Sequence, residues 1–312
     1  MQQTRLFPKP PYDFSLSGAI FSGGEPDIRT FRDGVFRQVL DTGNAPVLAE
    51  VRASGTTEDP ELLLSFRSDR RIRSNDKRRA GEMIASILSI TDDLSPFYRA
   101  VADDPVLADL TSRLRGVRAP VTPTVFEALA DSIIEQQISL KAAHSIENRL
   151  IRTVGKQLAI DGNDFYSYPD PAVLAGTPDS TFRACGLTTR KGEYIRDTSR
   201  LILEGGLDVE NFGNYQDTET IIEELVKIRG IGRWTAELTV LRGLHRPDAF
   251  PADDVGVRRF IAQFYCSGRK ISAAEARAFA ERWGAWKGFA AYYLEVADLL
   301  GIRPSVQLLL PL

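Results

Sequence analysis

Several things are scarce in this chain. Its 312 residues include two cysteines and two histidines. Cys185 and Cys266 lie far apart with no ligand spacing around them, so neither a disulfide framework nor a cysteine metal site is expected, and a reducing compartment suits the chain. His144 and His245 are too few for a zinc site. Excess charge is also missing: 39 Lys and Arg stand against 42 Asp and Glu, a net charge of −3. That excludes a surface coated in positive charge for unselective nucleic-acid binding. No apolar run approaches membrane length, and residues 1–11 are polar and proline-rich rather than signal-like, so the chain is expected in the cytoplasm and off the membrane. Internal repeats and low-complexity segments are absent too.

What remains is an ordinary globular composition, 43% hydrophobic and 26% charged, long enough to bury a sizeable core and to divide into two or three domains. The texture changes near Ser95. Before it, Tyr12, Phe14 and Leu16 alternate, as do Val47, Ala49 and Val51, with Gly, Asp, Asn and Pro between the runs. This is the pattern of short antiparallel strands. Glu82 to Ile90 then reads as one amphipathic helix. After Ser95 the periodicity is helical. Thr122-Pro123 offers an N-cap with proline at N1, or Thr124 and Glu127 form a capping box, and the helix that follows is expected to run to about Val154. Asp170-Pro171 and Thr177-Pro178 mark further helix starts. The predicted architecture is an α+β N-terminal domain, an antiparallel sheet with a helix, over residues 1–95, followed by an all-α region over 96–312. The basic run from Arg67 to Arg79 is read as a solvated face.

The most informative stretch runs from Leu225 to Arg259. Ile221, Ile222, Leu225 and Ile228 recur at helical spacing, as do Trp234, Leu238 and Leu241, and the very short turn Gly230-Ile231-Gly232 lies between the two patterns. Gly230 and Gly232 can take positive φ and, lacking side chains, let an anion approach the backbone. Amides of the turn and of the next helix's first turn would then point outward at the positive end of a helix dipole, a layout that grips a DNA phosphate. Taken alone, the same turn fits an ordinary αα-hairpin with a glycine C-cap. Shortly after it, Phe250-Pro251-Ala252-Asp253-Asp254 precedes a helical pattern beginning at Val255. A carboxylate there is an N-cap or, beside a phosphate grip, an acid acting on a nucleotide.

Four ordered blocks carry a family resemblance. They are Ser132-Ile133-Ile134-Glu135-Gln136-Gln137-Ile138-Ser139, Ile228-Arg229-Gly230-Ile231-Gly232-Arg233-Trp234-Thr235-Ala236, Pro251-Ala252-Asp253-Asp254-Val255 and Glu281-Arg282-Trp283-Gly284-Ala285-Trp286-Lys287. Together they resemble the helix-hairpin-helix-Gly/Pro-Asp DNA glycosylases, and within that superfamily the 3-methyladenine DNA glycosylase II (AlkA-type) branch, specifically over about Pro120 to Leu300. The resemblance implies a sheet domain in front, double-stranded DNA with a damaged base as partner, action as a monomer, and a monovalent cation on the hairpin's backbone carbonyls. It implies no metal held by side chains. The four-cysteine site of some relatives is lacking, so no iron–sulfur cluster is expected.

Carried over residue by residue, the resemblance makes Asp254 the catalytic acid, which stabilises an oxocarbenium-like sugar and orients water, and leaves Asp253 as the capping or structural residue. Gly230 and Gly232, with Arg233 and Thr235 as weaker candidates, form the phosphate grip. Trp234 stands where bifunctional relatives carry a lysine nucleophile, two residues after the second glycine, which implies a monofunctional enzyme that uses water and leaves an abasic site. Its ring is read as lining the base pocket, the alternative being a core tryptophan. Gln136 and Gln137 fall in the minor-groove wedge block, Gln137 aligning best with the inserted side chain; a buried polar pair is the other reading. Lys191 reaches a phosphate or is simply exposed. Val255, Leu238 and Glu295 occupy places where the best-known pockets are aromatic, with Phe289, Tyr292 and Tyr293 as nearby substitutes. Excision of an alkylated purine such as 3-methyladenine or 7-methylguanine is expected, with hypoxanthine left open. Two rivals stand: an 8-oxoguanine-type glycosylase/lyase, opposed by the missing lysine, and a noncatalytic helix-hairpin-helix DNA-binding protein.

Overall fold

The computed structural model describes residues 3–21, 25, 27–119 and 121–303; Pro120, where the resemblance begins, lies outside them. The first part is a sheet with two helices: β1 (Thr4–Leu6), α1 (Phe14–Phe21), β2 (Arg29–Arg32), β3 (Val35–Asp41), β4 (Pro46–Ala53), β5 (Leu62–Arg67) and α2 (Ser74–Ile87). Strand order is β1-β5-β4-β3-β2 with every pairing antiparallel. One face buries Phe36, Leu40, Ala49 and Val51 under Ala80, Ile84 and Ile87 of α2. Val39 and Leu48 on the other face pack against Leu158 and Ile160 from much later in the chain. Cover on both faces is why β3 and β4 are buried at nearly successive positions instead of at alternate ones.

Two local expectations in this region need correction. Tyr12, Phe14 and Leu16 do not form a strand. Asp13 starts α1 instead, its carboxylate accepting from the Leu16 amide at 2.9 Å and its carbonyl accepting from the Ser17 amide at 3.1 Å. A three-residue alternation is too short to outweigh a local helix start. The amphipathic helix begins at Ser74 and not at Glu82, because Asp76 accepts from the Arg73 amide at 2.9 Å and is held in turn by Thr42 and Asn44 at the β3–β4 turn. Lys77, Arg78 and Arg79 lie exposed along it.

The remainder is helical: α3 (Ser95–Ala100), α4 (Pro105–Arg113), α5 (Val125–Glu135), α6 (Leu140–Val154), then a hairpin of β6 (Gln157–Ile160) and β7 (Asn163–Tyr166), then α7 (Pro171–Gly176), α8 (Asp179–Cys185), α9 (Thr189–Leu203), α10 (Thr218–Val226), α11 (Arg233–Gly243), α12 (Val255–Tyr265), α13 (Ala273–Ala280) and α14 (Lys287–Leu299). The small hairpin, which sequence periodicity did not reveal, supplies the residues that cover the outer face of the sheet. Helices α5 to α11 share one core, built on Leu129, Ile133, Leu150, Ile195, Leu225 and Val240. Helices α3, α4 and α12 to α14 share another, around Phe97, Leu110, Phe264, Phe279 and Leu294. Trp283, from the fourth resemblance block, sits in this second core and donates to Asp104 at 3.0 Å. No helix among the described residues is long and apolar enough to cross a membrane.

The helix expected from Thr124 to Val154 is two helices. Thr124 caps the first, its hydroxyl accepting from the Glu127 amide at 3.1 Å. The chain then breaks at Gln136–Ser139, where Gln137 takes φ +57° and Ser139 caps α6 through the Ala142 amide. Below the break, α5 buries Glu127 and turns Asp131 toward Tyr168, whose hydroxyl donates to it at 2.7 Å. Burial pushes the Glu127 carboxyl up to about 8, with Arg29 opposing and Glu147 adding to the rise. A folded value above the ordinary 4.5 means that the stability this group lends is complete below about pH 4.5 and is lost as pH rises through about 8. Glu127→Gln is therefore expected to flatten the melting temperature between pH 5 and 8.5 and, at pH 8.5, to raise it by roughly 2 °C or more. Thermal melts of both proteins across that range check it; parallel curves would contradict it.

Candidate active site

The turn between α10 and α11 is built on one conformationally demanding glycine. Gly230 has φ +90°, a region that glycine enters at no steric cost. A Cβ there would lie 2.4 Å from the ring of Tyr194 on α9, so the backbone rests directly against that aromatic face. Gly232 departs from the expectation of positive φ. It is extended, at φ −90° and ψ 171°, as the N-cap of α11, and a Cβ on it would meet open space. The amides of Gly230, Gly232, Arg233, Trp234 and Thr235 find no acceptor among the described residues. Those donors cluster at the positive end of a helix that no side chain caps.

Side chains around the turn point to other tasks. Gln136 donates to the Gly230 carbonyl at 2.9 Å and to the Thr235 hydroxyl at 3.0 Å, tying the α5–α6 break to the hairpin. Gln136 is thus the cross-brace of the pair, and Thr235, which is buried, is its acceptor rather than a surface contact. Arg233 is exposed, but its charge is already engaged. Its guanidinium meets both Glu219 oxygens, at 2.5 and 2.6 Å, and Glu237 at 2.9 Å, because α10 places an exposed carboxylate on one side of it and α11 the buried Glu237 on the other. Lys191 donates to the Ile134 carbonyl at 2.7 Å, at the C-terminal end of α5, where a cation complements the helix dipole. Burial lowers its pKa.

The acid lies across from the hairpin. Asp254, and not Asp253, is the N-cap of α12: its Oδ1 accepts from the Gly256 amide at 2.7 Å and the Val257 amide at 3.1 Å. Oδ2 accepts from Trp234 Nε1 at 2.9 Å. Asp253 is exposed one residue earlier, too soon to reach the orphan amides. One carboxylate therefore caps α12 through Oδ1 and meets the indole of Trp234 through Oδ2. Three donors hold it in place, while Oδ2 keeps a lone pair for a further partner.

Asp254 and Trp234 line a cleft of about 1320 Å³ between the two helical cores. Leu238, Val255, Phe289, Tyr292, Glu295 and Leu299 complete the wall around them. Successive turns of α14 bring Phe289, Tyr292 and Leu299 to the same face, as its period requires. Tyr293 faces the other way. It is fully buried, packs 5.0 Å from Phe97 between ring centroids and donates to the Val117 carbonyl at 3.0 Å, so it substitutes for no pocket aromatic. Deeper in, Arg242 pairs with Glu135 at 2.7 Å. At the mouth, Gln137 is exposed at the tip of the α5–α6 break, beside the exposed Ile138 and Leu140. Sequence reasoning gave those two apolar residues no role, although two such side chains closely following a glutamine pair were a readable signal. Exposed apolar side chains of this kind can enter a base step as well as a glutamine does.

With the geometry established, similarity to known proteins is informative. Residues 130–285 match the HhH-GPD superfamily, described as base excision DNA repair proteins. The chain is 29% identical over 267 residues to a DNA-3-methyladenine glycosylase of Bacillus subtilis, covering 84% of this chain and 86% of that one. Its fold is similar to that of a 3-methyladenine DNA-glycosylase from Archaeoglobus fulgidus, at TM-score 0.83 and 26% identity, covering 96% of this chain and 99% of that one. A DNA-3-methyladenine glycosidase from Bacillus halodurans is 30% identical, with a TM-score of 0.53 over 68% of this chain and 94% of the other.

Proposed function

The chain belongs to the HhH-GPD superfamily of base excision DNA repair proteins, and from that premise we propose that it is a monofunctional DNA glycosylase that removes alkylated purines from duplex DNA and leaves an abasic site. The observation that carries this reading is the pairing of a capped, triply held carboxylate with an indole in one cleft, next to a helix end whose amides are unpaired. That helix end grips a phosphate, and Gln137 with its apolar neighbours fills the gap left by the flipped nucleotide. Extrusion costs a few kcal/mol, less for a lesion that pairs badly.

In the cleft, cleavage of the glycosidic bond builds positive charge on the deoxyribose. Asp254 stabilises that charge and orients the water that attacks the sugar. Trp234 positions Asp254 through its indole N–H and offers its π-face to the base. A purine alkylated on the ring leaves readily without a general acid, and the cleft has no lysine two residues after Gly232 to form a Schiff base. A monovalent cation on the turn would complete the phosphate's neutralisation; the Ile231 carbonyl, which accepts no hydrogen bond among the described residues, is free to hold it. We infer that the protein works as a monomer, in the cytoplasm with the DNA.

The test is a panel of duplexes, each with one defined alkylated, deaminated or oxidised base. Strand breaks are expected at alkylated purines only after hot alkali. No breaks on any member would sink the glycosylase reading, and a borohydride-trapped adduct would replace it with a glycosylase/lyase.

A further inference from the structure

Glu295 is the one acid that α14 turns into the cleft. It falls among Phe289, Tyr292, Val296 and Leu299 on the cleft wall. Its carboxylate makes no hydrogen bond or ion pair among the described residues, in contrast to Asp298 one turn on, which is engaged by Arg259, Gln263 and Arg303. Arg242, the cation that acts on it most strongly, is already bound to Glu135 at 2.7 Å. Asp254 shares the same cleft. Counted as formal charges, the cleft lining holds two cations, Arg29 and Arg242, against six carboxylates, Asp254 and Glu295 among them.

An unpaired carboxylate beside a second one is unfavourable in a confined site. The side chain is open to the cleft but surrounded by protein on its other sides. That confinement, with Asp254 and Glu135, raises its pKa, against the opposing pull of Arg242 and Arg259. The pocket is short of positive charge, and a ligand that brings one relieves the deficit.

Resting on the glycosylase reading above, we propose that Glu295 is a specificity-determining residue that reads the positive charge of the flipped base, selecting purines that carry a ring alkyl group and a formal charge over neutral bases. The two carboxylates then act at different times. Glu295 favours the bound cationic base. As the bond breaks, the base leaves neutral and the charge passes to the sugar, where Asp254 takes over. Glu295 therefore contributes to binding more than to the chemical step.

The test uses Glu295→Gln, which keeps the shape of the side chain, in single-turnover excision of 7-methylguanine from duplex DNA at neutral pH. The concentration of enzyme at half-maximal rate is expected to rise about ten-fold, with the maximal rate changed by no more than about two-fold. Affinity for a duplex carrying a tetrahydrofuran abasic analogue, which presents no base, is expected to stay within about two-fold of the parent, and this binding reports directly on folding. An unchanged half-maximal concentration, a loss confined to the maximal rate, or an equal loss toward the tetrahydrofuran duplex would overturn the inference alone. Failure of the parent protein to release any alkylated base would overturn the glycosylase reading and this inference with it.

Discussion

Replacing Asp254 with Asn is expected to slow single-turnover base release by about 10³-fold or more, while affinity for a lesion-bearing duplex stays close to that of the parent. The loss follows from removing the charge proposed to answer the sugar's positive charge and to orient water. Binding survives because the hairpin amides, Gln137 and the cleft walls are untouched. The variant should fold, since Asn caps helices about as well as Asp. It has a single carbonyl oxygen, however. If that oxygen takes the Gly256 and Val257 amides, its NH2 group faces the Trp234 N–H, donor against donor, at a cost of about 1–2 kcal/mol. A drop in melting temperature of a few degrees should therefore accompany a far larger loss of rate. Measuring excision and binding on one protein preparation separates the two. A rate within ten-fold of the parent would remove Asp254 from the chemistry.

The second large effect separates the two hairpin glycines. Gly230→Ala is expected to destabilise the protein by about 2–4 kcal/mol, because an alanine at φ +90° is strained and its methyl group overlaps the Tyr194 ring. DNA affinity should fall with the distorted turn. Gly232→Ala should be neutral to the fold within about 0.5 kcal/mol, as the backbone there is extended and the space beside it open. Its methyl group nevertheless projects toward the bare end of α11, so affinity for duplex DNA should drop by about ten-fold or more. Thermal melts and anisotropy titrations on both variants decide the matter. Parent-like DNA binding by Gly232→Ala would show that the phosphate does not sit on this helix end.

Part of this site was legible because its signals are local. A glycine at positive φ, a tryptophan in place of a lysine and an acid before a helix are properties of short segments. The strand at Val47 to Val51 and the caps at Thr124 and Asp170 were readable for the same reason. The misreadings came where a local pattern had two solutions. The polar stretch Gln136–Ser139 continues a helical period as readily as it breaks one, and the break is favoured by Ser139 capping α6 and by Gln136 reaching a hairpin 94 residues away. Assigning the cap to Asp253 assumed that catalysis and capping need separate residues. In Asp254 one oxygen caps α12 while the other faces Trp234, so a single residue can fill both roles.

By itself the sequence determined the sheet-then-helices order, the hairpin, the acid that follows it and the lack of a lysine nucleophile, since each depends on residue type and short spacing. Only the tertiary structure decided which glutamine braces and which stands at the tip, that Arg233 is held by Glu219 and Glu237, that Trp234 anchors Asp254, and that Glu295 enters the cleft without a partner. Those outcomes depend on which side chains distant segments bring within hydrogen-bonding reach. Spacing along the chain does not carry that information; packing of the two helical cores against each other does.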